Sequence, residues 1–388
     1  MAISLPQRFR LKRLRPDVGG SSRRALDSLA SRKPLVYRGL VTLFALAGYL
    51  LLALFPLIAL SGLLGLPGQL QTIQGWQDGL WFGLNVLILL IAAALSIPLF
   101  QIRFASPKGM EINPQNAPKF SQEIEQLRQD FKNPGIHSVI LSEGFGVHVV
   151  STPRFRLPLL YRNTLVIGLE SLLSLPPDQF RSLLARRVGQ LSGMHHRFIN
   201  WLARLRRIWP LYHQAFRLLH GPLSWPLRWL FALYAPFYSA LSFYVARQDE
   251  LEADRYALDI ANDAELAGLF SQLIITETFL KHRFWPKITQ LAQRSGTPEH
   301  LPYASLTAVL RRGMSRDDIQ NWIKTAFETQ SDTHNPAPLL RQRLENIGHN
   351  KPTPPRALHE TAADHYFDSG VMQKIIAKFD QHWLARRK

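Results

Sequence analysis

The stretch GLVTLFALAGYLLLALFPLIALSGLLGL, residues 39–66, carries no charged residue. At about 1.5 Å per residue, a helix of this length crosses the hydrocarbon core of a bilayer with room for tilt. Pro56 is no obstacle, because neighbouring helices in a membrane re-satisfy the backbone groups a proline frees. After PGQLQTIQGWQD (67–78), residues 79–101, GLWFGLNVLILLIAAALSIPLFQ, form a second uncharged run. A buried core hairpin is the competing reading, but two uninterrupted runs of this length are more than a globular core asks of a helix pair. The pattern predicts a transmembrane helical hairpin.

Charge orients it. Arg8, Arg10, Lys12, Arg13, Arg15, Arg23, Arg24, Arg32, Lys33 and Arg38 precede the first run and face only Asp17 and Asp27. Arg103 and Lys108 follow the second run, and the loop between the runs holds one acid and no base. Basic flanks stay on the cytoplasmic side, so both ends of the hairpin are expected there. Residues 1–38 are too basic to bury a core and are expected to lie as a cytoplasmic segment on an anionic membrane face. The chain as a whole has a formal net charge of +18 and only 19% charged residues. Such a basic balance calls for an anionic partner. No nucleic-acid-binding motif is present, so anionic lipid is the expected partner. There is no cysteine, which excludes disulfides and thiolate metal sites.

Beyond the hairpin the pattern is mixed and mainly helical. APKFSQEIEQLRQDFK (117–132) has amphipathic helical spacing, and HSVILS and GVHVVST read as a strand pair joined across EGFG. TLVIGL (164–169) reads as a further strand. Leu-Pro-Pro-Asp after Ser174 opens a helix containing FRSLLARRVGQLSGMHHRF. Residues 199–246 are rich in aromatic residues and arginine, and WLFALYAPFYSALSFYV within them fits a third span, an interfacial segment or a buried helix. A Pro-rich connector, KPTPPR, precedes a final amphipathic helix near 360–386.

Three blocks in order resemble the HtpX-like and CAAX-prenyl-protease family of membrane zinc metallopeptidases. YRNTLVIGLESLLSLPPDQFRSLLA looks like the strand leading into that family's active-site helix. FYVARQDELEADRYALDIA resembles its Glu-x-x-Ala-Asp helix, and DTHNPAPLLRQRLENIG its Thr-His-Pro loop followed by an arginine. The resemblance covers roughly residues 110–350. It implies a membrane hairpin (39–66, 79–101), a gluzincin-like metallopeptidase domain with a small β-sheet over 102–350, and a C-terminal extension over 351–388. It also implies a bacterial inner-membrane protein with a cytoplasmic main domain.

In such a site an H-E-x-x-H helix supplies two imidazoles for Zn²⁺ and a glutamate that activates the zinc-bound water. Aligned on that pattern, this chain has Arg186 at the first His, Arg187 at the catalytic Glu and Gln190 at the second His. Arginine stays protonated and offers no lone pair, and a Gln carbonyl is a poor zinc ligand. Glu250 matches the third ligand and Asp254 the carboxylate one turn later. His334 and Arg341 match the site loop, with Asn335 interrupting the Thr-His-Pro run. His195 and His196 are adjacent, point about 100° apart and cannot chelate together as an i, i+4 pair does; the favoured expectation is an exposed pair near a helix end, the alternative that one of them binds a metal with Glu250 and His334. Thr164, Leu165, Val166 and Ile167 match an edge strand that receives extended substrate by β-augmentation. The resemblance therefore implies a pseudopeptidase that binds a peptide or membrane-protein partner and holds no metal. The alternative is an active zinc endopeptidase with non-standard ligands, working in membrane protein quality control. An Arg186 side chain is expected where a cation would otherwise neutralise Glu250 and Asp254.

Overall fold

A computed structural model describes residues 26, 28–132, 135–192, 197–295, 301–329 and 336–386. The protein is mainly helical with one small sheet. Both uncharged runs are helices, α1 (Pro34–Gln71) and α2 (Trp76–Gln101), joined by a tight turn in which Asp78 accepts from the backbone amides of Gln74 and Gly75. They are the two single helices among the described residues long and apolar enough to cross a membrane. Leu57, Leu60 and Leu64 on α1 and Leu80, Trp81 and Leu90 on α2 stand exposed, as lipid-facing side chains would.

At about 57 Å, α1 is far longer than a hydrocarbon core of about 30 Å. Its first half belongs to the domain. Tyr37, Val41, Ala45, Gly48 and Leu52 form one buried stripe, packed with α6 (Arg197–Leu218) and α7 (Trp225–Leu241) around Trp209, Tyr212, Phe231 and Tyr234. Gly48 is required there, because a Cβ would fall 2.3 Å from the Tyr234 hydroxyl. Residues 1–25 and Asp27 of the basic segment lie outside the described residues. Its last part is folded, contrary to expectation: Ala30 and Tyr37 are buried, and the Tyr37 hydroxyl donates to the Leu241 carbonyl at 2.5 Å.

The sheet holds β1 (Met110–Glu111), β2 (Ile136–Ser142), β3 (Val147–Arg154) and β4 (Leu157–Gly168) in the order β1-β2-β4-β3. α3 (Pro118–Asp130) links β1 to β2. This order corrects two expectations. β2 and β3 are not a pair joined across EGFG: Gly144 and Gly146, both at positive φ, carry the chain over the end of β4, which lies between them. Thr164, Leu165, Val166 and Ile167 are not an edge. Thr164 and Leu165 pair with Ser138 and Val139 of β2, and also with Val150 and Val149 of β3. The unbroken apolar run suits a strand buried on both faces. The strand beside β4 with a partner on one side only is β3.

α4 (Leu169–Ser174) and α5 (Pro177–Ser192) follow β4 directly. α7 buries Leu227, Phe231, Tyr234 and Tyr238 and exposes Trp225, Trp229, Leu233 and Phe237 on its opposite side. It bends by 54° into α8 (Phe243–Leu258). Arg247, Asp249, Glu250 and Asp254 make α8 a poor lipid segment, so only α7 keeps apolar character on its outer face. α9 (Asp263–Phe279) passes through a π-helical turn into α10 (Trp285–Ser295), followed by α11 (Pro302–Arg311), α12 (Arg316–Glu328) and α13 (Leu340–Asn346). The expected final helix is two, α14 (Ala362–Tyr366) and α15 (Ser369–Ala385), broken at Phe367 and Asp368. Sheet and helices enclose a second core built on Phe120, Leu165, Ile167, Phe180, Leu184 and Phe270.

Candidate functional site

α5 is amphipathic: Phe180, Leu183, Leu184 and Val188 point into the core, and Arg186, Arg187 and Gln190 turn toward α8. The two helices touch closely at Gly189, where a Cβ would sit 2.5 Å from the Tyr256 Cβ. That approach brings the three polar side chains of α5 against Asp249, Glu250 and Asp254.

Arg186 is the centre. Its Nε donates to Asp254 Oδ1, and its Nη2 donates to Glu250 Oε2 at 2.5 Å. Arg187 Nη1 donates to the other Glu250 oxygen at 2.8 Å, and its Nε donates to the Val147 carbonyl of β3 at 3.0 Å. Gln190 accepts from Arg187 Nη1 at 2.9 Å and donates to Asp249 Oδ2 at 2.5 Å. Asn200 of α6 donates to the Gln190 carbonyl, and Arg207 lies 3.5 Å from Asp249.

Arg343 of α13 closes the cluster, with Nη1 2.8 Å and 3.2 Å from the Asp254 oxygens and Nη2 3.8 Å from Glu250. This corrects the assignment of Arg341, which is exposed with its guanidinium over the Phe327 ring. α13 starts at Leu340 and buries Leu340 and Leu344. Position 343 therefore sits beside the buried stripe and position 341 points away. His334, His195 and His196 lie outside the described residues.

The electrostatics follow from burial and pairing. Burial raises the Glu250 carboxyl pKa, but Arg187, Arg186 and Arg343 outweigh it and hold the group well below its usual range. Burial works against the Arg186 charge, yet Asp254 and Glu250 push its pKa up. Burial and the Arg186 cation bring Arg343 down to about 10, still protonated at neutral pH. Asp249 goes the other way: burial pushes its carboxyl up to about 6, against the pull of Arg207.

Zinc does not fit this arrangement. Both Glu250 oxygens already accept from guanidiniums, and the Gln190 amide is committed on both of its ends. Two permanent cations lie where a divalent ion would approach Glu250. The cluster binds charge to charge, and Arg187 is a donor at each of its contacts. Asp249, Arg207 and Arg343 were not singled out by sequence; for Arg343 the face of α13 was the readable signal. The chain was compared with protein-family models, curated proteins and solved structures, and nothing matches.

Proposed function

We propose that this chain is a membrane-anchored, catalytically silent relative of the HtpX-like zinc peptidases that works by binding a partner and not by hydrolysis. Arg186, bridging Glu250 and Asp254 from the position of a metal-binding histidine, carries the reading. A guanidinium there supplies the positive charge the carboxylates need and none of the Lewis acidity that hydrolysis needs. A gluzincin-like architecture, with the main domain on the cytoplasmic face of a bacterial inner membrane, is part of this proposal.

The partner reading narrows with the sheet order. Strand addition along residues 164–167 drops out, because both sides of β4 are taken. A membrane-protein partner is the better fit, since the exposed apolar side chains gather along α1, α2 and α7. The test of the silent site is direct. The purified full-length protein should hold well under one equivalent of zinc by elemental analysis and should leave casein intact. One equivalent of zinc with chelator-sensitive cleavage would establish the alternative, an active peptidase with non-standard ligands.

A further inference from the structure

The β3–β4 hairpin ends in an unusual tip. Arg154 pairs with Leu157, and the two residues between them, Phe155 and Arg156, have φ of 51° and 62°. A two-residue turn with positive φ at both positions ordinarily takes Asn-Gly, since larger side chains are strained there. Here the strained positions carry a large apolar and a large cationic residue. The result is an exposed apolar tip: Phe155 is 69% exposed, Leu157 51%, Leu159 66% and Leu160 48%.

The tip is fixed against the membrane hairpin. Arg156 Nε donates to the carbonyl of Ile102, the residue immediately after α2, at 3.1 Å. The Tyr212 hydroxyl of α6 donates to the Arg156 carbonyl at 2.7 Å. The tip thus sits level with the end of a membrane-crossing helix. Its charges are of one sign. Arg154 and Arg156 lie in the tip, Arg103 follows the Ile102 that Arg156 contacts, Arg162 lies farther along β4, and no acid occurs between Glu143 and Glu170. The Arg154 guanidinium lies 4.9 Å over the Phe155 ring, an arrangement that keeps the cation beside the apolar group.

We infer that the β3–β4 tip is a lipid-inserting wedge: Phe155, Leu159 and Leu160 enter the acyl region of the leaflet at the end of α2, and the flanking arginines hold anionic headgroups. Exposed apolar residues, a basic rim and a fixed height at the interface are what a shallow membrane-contacting element requires, with a depth of about 5–10 Å. The inference rests on α1 and α2 crossing the bilayer, and it goes beyond the proposed function, which assigns nothing to this hairpin.

The chain has no cysteine, so a single introduced thiol can be labelled uniquely. Full-length Phe155→Cys and Leu159→Cys would each carry an environment-sensitive nitrobenzoxadiazole label in phosphatidylcholine–phosphatidylglycerol vesicles containing doxyl-lipid quencher. Leu57→Cys on the exposed face of α1 reports lipid, and exposed Lys378→Cys on α15 reports water. The tip labels should lose fluorescence comparably with the Leu57 label, while the Lys378 label stays unquenched. Tip labels as insensitive as Lys378, beside a quenched Leu57 label, would overturn the wedge. An unquenched Leu57 label would overturn the membrane assignment beneath it and the wedge with it.

Discussion

The Arg186 guanidinium of α5 and the Asp254 carboxylate of α8 share a charge-assisted hydrogen bond inside the protein, with 3% and 0% of the two side chains exposed. The same guanidinium reaches Glu250, so one residue stitches two helices at two points one turn apart. Everything else in the cluster is arranged around that bridge.

Removing one side of a buried ion pair leaves the other uncompensated. Arg186→Ala should therefore destabilise the protein by about 3 kcal/mol in a denaturant melt of the detergent-solubilised chain. Adding Glu250→Ala to Arg186→Ala should recover part of the loss, since one stranded carboxylate is gone. A double variant no more stable than the single one would show that Arg186 acts by packing alone.

The three substitutions Arg186→His, Arg187→Glu and Gln190→His together rebuild an H-E-x-x-H sequence on α5, opposite Glu250. If the proposed ancestry holds, this variant should take up about one equivalent of zinc more than the parent, and the uptake is read by elemental analysis. Retention of the parental metal content would count against the family reading.

Asp249 sets a pH dependence. Its folded pKa is raised to about 6 from an ordinary 3.8, so the folded state holds the proton more tightly than the unfolded chain. Stability from this group is fully present below about 4 and is lost as pH rises toward about 6, at roughly 1.4 kcal/mol for each tenfold difference in proton affinity between the two states. Asp249→Asn should remove that slope, making the melting temperature flatter between these pH values than in the parent. Glu250 acts oppositely: its pKa is depressed, so its contribution is present above the usual carboxylate range and is lost under stronger acid.

Gly189→Ala probes the helix contact without touching a charge. The new methyl would sit 2.5 Å from the Tyr256 Cβ, so α5 and α8 must part. A loss of about 1–3 kcal/mol is expected, and the same substitution at Gly79, where a Cβ meets nothing, should be close to neutral.

A reporter enzyme fused after Lys388 tests the topology. The basic flanks of the hairpin predict cytoplasmic activity from that end and none in the periplasm. A periplasmic signal would reverse the orientation.

The sequence made the hairpin plain, because absence of charge over a bilayer's thickness is a local property needing no partner. Glu250, Asp254 and Arg186 were singled out through the resemblance to a peptidase motif, and the structure brings the three side chains together between α5 and α8. Strand order was not legible. The run TLVIGL announces a buried strand, but which strands flank it depends on how Gly144 and Gly146 swing the chain across its end. Arg341 was named because the resemblance supplied a motif position, whereas the face of α13 that meets Asp254 is set by Leu340 and Leu344 seating in the core, and that face carries Arg343. The folded end of the basic segment was missed because Ala30 and Tyr37 are buried by residues some two hundred positions away.

The bridge between α5 and α8 bears on how the protein matures. A seam closed by a captured ion completes itself only when that ion is supplied, and its folded fraction follows supply by mass action. Here the joining cation is a side chain, delivered by the ribosome in fixed ratio to the carboxylates it joins. Closure of this seam then needs no binding step from solution: its cation reaches the carboxylates with the packing of α5 on α8.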